Sequence, residues 1–331
     1  MMRPASSEMV DPGLLSKIDK LFACGVGSQI DLPQLVVVED QSSGKSSVLE
    51  GLTSLPFPRD SGLCTRFATQ ITFRRSETDC VTVSVIASDD ALPAHREKVQ
   101  GWTKTAFSMS KDAFAEIMRD IHDLMDLGRQ DAPDDKSAFS KDVLKIEICG
   151  PEQEHFSVVD VPGIFRKATE GVTTKADLDM VRSMVRSYMR NPRTVMLAVV
   201  PANVDIATQE ILTMAEEFDP TGIRTIGVLT KPDLVDAGAE QQVIDLVHGK
   251  KDKLILGWYL VRNLGQQQLE SSATVDRHYT EMNFFKENAP WKSVDKGRVG
   301  ISALRAQLQQ VLAGHIRREF PKVRTSLLVQ A

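Results

Sequence analysis

Apolar residues follow two periods along this chain. They run unbroken through Leu35–Val38, Val195–Val200 and Trp258–Val261, and prevail toward the end of Ile223–Leu229, which is the pattern of strands buried on both faces. They recur every three or four positions in Leu14–Phe22, Ala176–Met189, Thr208–Phe218, Tyr279–Lys286 and Ile301–Arg318, which predicts amphipathic helices. A further helix is expected after Asp236, and a last segment after Pro321. Strand and helix alternate from residue 176 onward, so the expected fold is α/β: a parallel sheet covered by helices on both faces, with ligand loops at the C-terminal ends of its strands.

The first half is less regular. Phe67–Arg75 and Cys80–Ala87 alternate polar and apolar residues around the polar turn Ser76–Asp79, which predicts a hairpin. Leu144–Cys149 and Phe156–Val159 flank Gly150–His155 and are expected to form a second strand pair. Asp90–Trp102 and Lys111–Leu127 read as polar, partly helical excursions, Leu55–Arg66 as a loop, and Gly128–Ser140 as a charged loop. Leu304, Leu308 and Leu312, four apart, are expected to serve packing. The helix at Leu14–Phe22 and the segments Ile301–Arg318 and Val323–Leu328 each carry an apolar stripe and should pack on one another. The domain expectation is a bundle helix within 1–27, a nucleotide domain over 28–300, and bundle helices over 301–331.

With 331 residues, 42% of them hydrophobic, the chain can bury a substantial core. A net charge of −5 offers no broad attraction to nucleic acid, and no nucleic-acid partner is expected. The four cysteines, Cys24, Cys64, Cys80 and Cys149, show no ligand spacing and read as reduced thiols. The beginning of the chain lacks a secretory pattern and no run of about 18 apolar residues occurs, so a cytoplasmic location is expected, peripheral at membranes at most.

Chemistry concentrates at strand ends. Gln41-Ser42-Ser43-Gly44-Lys45-Ser46-Ser47 joins the strand Leu35–Val38 to a helix expected at Ser46–Gly51. Gly44 lets backbone approach an anion, Lys45 opposes β- and γ-phosphates, and Ser46 offers a hydroxyl to magnesium. Asp160-Val161-Pro162-Gly163 ends another strand, placing a carboxylate for the same ion and the Gly163 amide for a γ-phosphate. Thr230-Lys231-Pro232-Asp233 fits a guanine base: the Asp233 carboxylate accepts from the ring N–H and the exocyclic amine, and the Lys231 stem covers the ring. Adenine lacks those donors, which disfavours an ATP-dependent enzyme. Asn263, after Arg262, is a candidate base contact, and Thr65 a candidate ligand of magnesium, preferred by position over Thr53 and Thr69.

These motifs, with L-P-F-P-R-D-S-G-L-C-T-R, V-V-P-A-N-V-D, R-T-I-G-V-L-T-K-P-D and H-I-R-R-E-F-P, resemble the GTPase domain of the dynamin superfamily, nearest its dynamin and Mx branches. The resemblance implies an extended Ras-like P-loop sheet with a partial bundle beside it, and magnesium-dependent GTP hydrolysis to GDP. It implies that Gln41, Ser42, Gly44, Lys45 and Ser46 handle phosphate, water and metal, flanked by Ser43 and Ser47. Thr65 and Asp160 would complete the magnesium site. Lys231, Asp233 and Asn263 would hold guanine, with Thr230, Asp236 and Arg262 beside them. Ser42 and Gly62 would hold a monovalent cation, K+ or Na+, and Asp205 would orient the glutamine of a second copy across paired domains. A longer protein would couple turnover to membranes or cytoskeleton.

Three departures stand out: Glu39 replaces the first P-loop glycine, Asp60 a glycine of the switch loop, and Leu264 follows Asn263 where arginine is common. If Glu39 needed a positive φ, it would cost on the order of 1 kcal/mol. If it faced the phosphates it would repel them, and if it pointed away it would be neutral. The alternative function is therefore a GTP-binding interaction module with weak or no hydrolysis, because of Glu39 and Asp60.

Overall fold

A computed structural model of the chain describes residues 34–314, apart from 58–64, 108, 129–136, 152, 154–155, 171, 253, 266–267 and 269–274. The expected helix at Leu14–Phe22, the last helix beyond 314, Asp60, Gly62, Cys24 and Cys64 lie outside these residues, as do residues 129–136 of the charged loop expected at 128–140.

Among the described residues, nine strands form one sheet: β1 (Gln34–Glu39), β2 (Ala68–Arg75), β3 (Cys80–Ile86), β4 (Thr103–Ala106), β5 (Val143–Gly150), β6 (Phe156–Asp160), β7 (Thr194–Pro201), β8 (Thr225–Thr230) and β9 (Trp258–Leu260), in the order β4-β3-β5-β2-β6-β1-β7-β8-β9. The helices are α1 (Lys45–Thr53), α2 (Pro93–Gln100), α3 (Lys111–Leu124), α4 (Lys175–Arg190), α5 (Glu210–Phe218), α6 (Glu240–Val247), α7 (Arg277–Glu287) and α8, described over 300–314. β1 runs parallel to β6 and β7, and β7, β8 and β9 continue in parallel. The pleat sends alternate residues of β1 to opposite cores. Leu35 and Val37 join Val48, Leu49 and Leu52 of α1, with Leu304, Leu308 and Leu312 of α8. Val36 and Val38 join Val181, Val185 and Met189 of α4 and Ile211 of α5. The leucine stripe of α8 is thus spent on the core of the sheet.

Both expected strand pairs are corrected. β2 and β3 do not pair; β5 lies between them, parallel to β2 from Ala68↔Val143 to Arg75↔Gly150 and antiparallel to β3. β5 and β6 do not pair either, because β2 separates them. Alternation fixes which face a strand buries but not its neighbour, and here the two hairpins interleave. Gly150 permits it: the turn after β2 folds onto it, with the Ser76 amide donating to the Gly150 carbonyl at 3.0 Å. A Cβ on Gly150 would lie 2.3 Å from Asp79 Oδ1. The sheet is therefore mixed rather than wholly parallel, and Cys80 and Cys149, distant in sequence, face each other across β3 and β5 as free thiols.

The helices follow their caps. The Thr174 hydroxyl accepts from Asp177 N–H while the Asp177 carboxylate accepts from Thr174 N–H, so α4 starts at Lys175. α5 begins at Glu210, two residues later than its periodicity predicts, because Ile206–Thr208 forms a separate 3-10 turn. No helix among the described residues is long and apolar enough to cross a membrane.

Candidate functional site

The C-terminal ends of β1, β6, β7 and β8 lie side by side, and the loops that leave them converge. Gly44 caps α1 at φ 106°, a left-handed conformation natural to glycine, and a Cβ there would meet Thr230 Oγ1 at 3.4 Å. The turn before it holds Ser42 at φ 67°. Ser43 is buried and donates its hydroxyl to the Asp40 carbonyl at 2.6 Å. From the other side, Thr230 donates its hydroxyl to the Ser43 carbonyl, and Lys231, at φ 56°, donates Nζ to the Ser42 carbonyl at 2.8 Å. Two loops far apart in sequence therefore form one cradle.

Lys45 is 1% exposed, and its Nζ pairs with Asp160 Oδ1 and donates to Thr65 Oγ1 at 3.1 Å. Thr65 in turn donates to Asp160 Oδ2 at 3.2 Å, and Ser46, Thr65 and Asp160 line one hollow with Phe57, Phe67 and Phe114. Of the threonines weighed, Thr53 instead bonds back to the Leu49 carbonyl at 2.8 Å. Thr69 is buried in β2 and lines the same hollow. Burial pushes the Asp160 carboxyl above its ordinary range, with Lys45 and Thr65 pulling it back. An ionisable carboxylate and two hydroxyls form an all-oxygen donor set, which fits a hard divalent cation that keeps part of its water shell.

Of the three cases weighed for Glu39, the structure leaves the one in which it faces the cradle. It is an extended residue of β1, outside the positive-φ set, so no backbone strain arises. Nor does it point away: its Oε2 accepts from the Lys45 backbone N–H at 2.9 Å, and Oε1 lies 3.4 Å from where a Cβ on Gly163 would stand. Burial pushes its carboxyl above the ordinary range, with the Lys45 charge and N–H opposing. Asp40, the next residue, accepts from the Glu210 and Ile211 amides at 3.0 Å each and so ties the loop to the start of α5.

Gln41 is exposed at the mouth, and its N–H donates to the Ile164 carbonyl at 2.8 Å. Asp205 is exposed beyond β7, and its Oδ1 caps the turn Ile206–Thr208 through Ala207 N–H at 3.0 Å. On the far side, Asp233 is exposed on the turn after β8, with Oδ2 at 3.8 Å from the Arg262 guanidinium. Arg262 also lies over the Phe284 ring. Asn263 Oδ1 accepts from Arg277, whose same nitrogen donates to the Ser47 carbonyl. Asp236 is exposed, and among the described contacts its side chain is not tied to the others.

Three contributors escaped the sequence reading. Asp40 sits inside the motif and carries no signal beyond being polar. Arg277 and Glu281, four apart on α7, are a visible i,i+4 pair, but nothing in the pattern says that they face inward. Glu281 is 1% exposed and accepts from Arg262 N–H at 3.0 Å and Ile301 N–H at 2.9 Å, joining the loop after β9 to the start of α8.

Two family models match the chain: the Dynamin family over residues 35–232 and the Dynamin central region over residues 242–330. Interferon-induced GTP-binding protein Mx2 of Oncorhynchus mykiss is 32% identical over 322 residues, covering 97% of this chain and 47% of that protein. Mx1 of Equus caballus is 33% identical over 313 residues, 92% of this chain and 43% of its own. Mx of Perca fluviatilis is 33% identical over 307 residues, 90% and 93% of the respective chains. The chain thus spans about half the length of the trout relatives it matches, 47% and 46% of them.

Proposed function

Because the chain belongs to the dynamin family, we propose that it binds GTP at the cradle between β1 and β8 and hydrolyses it by in-line attack of water on the γ-phosphate. The observation that carries the reading is the locking of Thr230 and Lys231 onto the Ser43 and Ser42 carbonyls. It holds a guanine-type loop at fixed spacing from a phosphate-type loop, and such chemistry depends mostly on positioning and electrostatics.

In this reading Lys45 and the amides of Ser43, Gly44, Ser46 and Gly163 oppose the phosphates. Asp233 accepts from the guanine edge, while Lys231, Asn263 and Arg262 frame the base. Ser46, Thr65 and Asp160 would hold magnesium, which would neutralise charge on the β- and γ-phosphates. Gln41, exposed and free to reach outward, orients the attacking water, and Ser42 with Gly62 would serve a monovalent cation. The exposed Asp205 is placed to meet a second copy. We extend the reading to activation by pairing of two such domains and to work on membranes in a longer protein, both supported by the resemblance, and to a cytoplasmic site of action, supported by the scattered cysteines without ligand spacing.

The test is GTP turnover with magnesium over a range of protein concentrations. Specific activity should rise with concentration in the parent and stay flat in Asp205→Ala. A second reading, binding with poor hydrolysis, draws on the Glu39 carboxylate inside the cradle. Tight GTP binding with no turnover at any concentration would select it.

A further inference from the structure

Two buried carboxylates share one lysine at the floor of the cradle. Asp160 takes the Lys45 ammonium, and Glu39 takes the Lys45 backbone N–H. Neither carboxylate is more than 8% exposed, so their charges are poorly screened. In a P-loop the amide of the lysine is one of the donors that meet phosphate oxygens, and a helix N-terminus favours an anion there. Here that donor already has an anionic partner supplied by the chain itself. The other oxygen of the same carboxylate lies beside Gly163, at the turn assigned to the γ-phosphate. The carboxylate thus reaches from the Lys45 amide to Gly163, where β- and γ-phosphate oxygens would be placed.

We propose that Glu39 is an internal phosphate mimic, a carboxylate that competes with the nucleotide phosphates for the Lys45 amide and the space beside Gly163, so that GTP binds only as Glu39 swings out. The proposal rests on the reading of the cradle as a GTP site. It differs from a strained or ill-fitting loop, because the backbone at Glu39 is ordinary extended strand and the contact is well formed. It also makes a graded demand. A ligand with no phosphate need not displace Glu39, whereas one with β- and γ-phosphates must.

The experiment measures the affinity of guanosine, GDP and GTP, with magnesium present, for the parent, Glu39→Gly and Glu39→Gln. The glycine variant should bind GTP at least about tenfold more tightly than the parent, which corresponds to about 1.4 kcal/mol. GDP should gain less and guanosine nothing. The glutamine variant keeps the bulk and an acceptor for the Lys45 amide but loses the charge, so its gain should fall between the two; it also serves if the glycine variant folds poorly. Equal GTP affinity in all three proteins overturns the mimic. So does a gain of the same size for guanosine and GTP, which would mark a general effect of the substitution. Weaker GTP binding in both variants also overturns it, since Glu39 would then be helping to hold nucleotide or cation. If none of the three proteins binds any guanine nucleotide, the GTP-site reading falls first and the mimic with it, whereas GTP bound equally by parent and variants sinks the mimic alone.

Discussion

The phosphate end and the base end of the site are built on opposite plans. At the phosphate end a short run of chain, Glu39 to Ser47, supplies nearly every group, and charge is in conflict: Glu39 and Asp160 both lean on Lys45. At the base end the groups come from separate elements, β8, the loop after β9, and α7, and cations dominate. Arg262 pairs with Asp233, and Arg277 spans Asn263 and Ser47. Guanidinium nitrogens of both arginines are buried without a hydrogen-bond partner among the described residues. A local loop can tolerate charge conflict because its backbone is fixed by Gly44 and by the Thr230 and Lys231 contacts. A dispersed site has no such frame and depends on each long side chain holding its place. Substitutions at the first end should act through electrostatics, and at the second through geometry.

Lys45→Ala should do most. It removes the ammonium that pairs with Asp160 and lies close to Glu39, and stranding such a buried charge costs about 3–5 kcal/mol. GTP binding should fall about 10³-fold or more, with a lowered melting temperature. Turnover equal to the parent would place the phosphates elsewhere. Next comes Asp233→Asn, which presents one donor where the base also presents donors. The preference for GTP over ATP should drop about 10²-fold, read by competition binding, with little change in stability because Asp233 is exposed. An unchanged preference would move the base contact off the turn after β8. Arg277→Lys should have a smaller effect: one guanidinium nitrogen serves both the Ser47 carbonyl and Asn263, and a shorter lysine lacks the planar fork that holds that nitrogen in place. A rise in KM of about tenfold, with kcat nearly kept, would mark loosened base positioning. A matching fall in kcat would instead put Arg277 at the phosphate end.

The same contrast explains what the sequence could and could not reveal. The phosphate end was legible because its motif is contiguous, so Gly44, Lys45 and the strand before them declare their arrangement together. β7 was legible as an unbroken apolar run, and β8 as a mostly apolar stretch ahead of the Thr230–Asp233 turn. The base loop Thr230–Asp233 could be read as a motif, but its grip on the Ser42 and Ser43 carbonyls is tertiary and left no local trace. The interleaving of β2, β3, β5 and β6 was hidden because alternation is silent about partners. β4 was missed because Thr103–Ala106 is an edge strand of four residues, too short and too polar for a period to show. Glu39 stood out as a departure from the motif, yet its direction depends on the rotamer of a buried side chain, and sequence does not encode that directly.

The smallest effect tests whether the dispersed end carries a charge conflict of its own. Glu281 is buried on α7 and receives two amides, one from the loop after β9 and one from the start of α8, where Gly300 at φ 84° brings Ile301 into reach. Burial pushes its carboxyl above the ordinary value of 4.5, despite those amides and the nearby Arg277 and His278 charges. The folded protein therefore binds a proton at Glu281 over a window beginning near 4.5, where the unfolded chain has already lost it. Stability from this group is full below that window and is lost as pH rises through the folded value. Glu39 and Asp160 shift in the same sense, while half-buried His122, held below its ordinary value, contributes in the opposite one. The informative quantity is thus the difference between parent and Glu281→Gln in denaturant melts from about pH 5 to 7. The amide keeps one acceptor and presents a donor to the second N–H, so the variant should be less stable throughout. Its deficit should narrow with rising pH, because only the parent is losing the contribution of Glu281. Curves that stay parallel from end to end would show that Glu281 holds the same charge folded and unfolded, and that charge conflict belongs to the phosphate end alone.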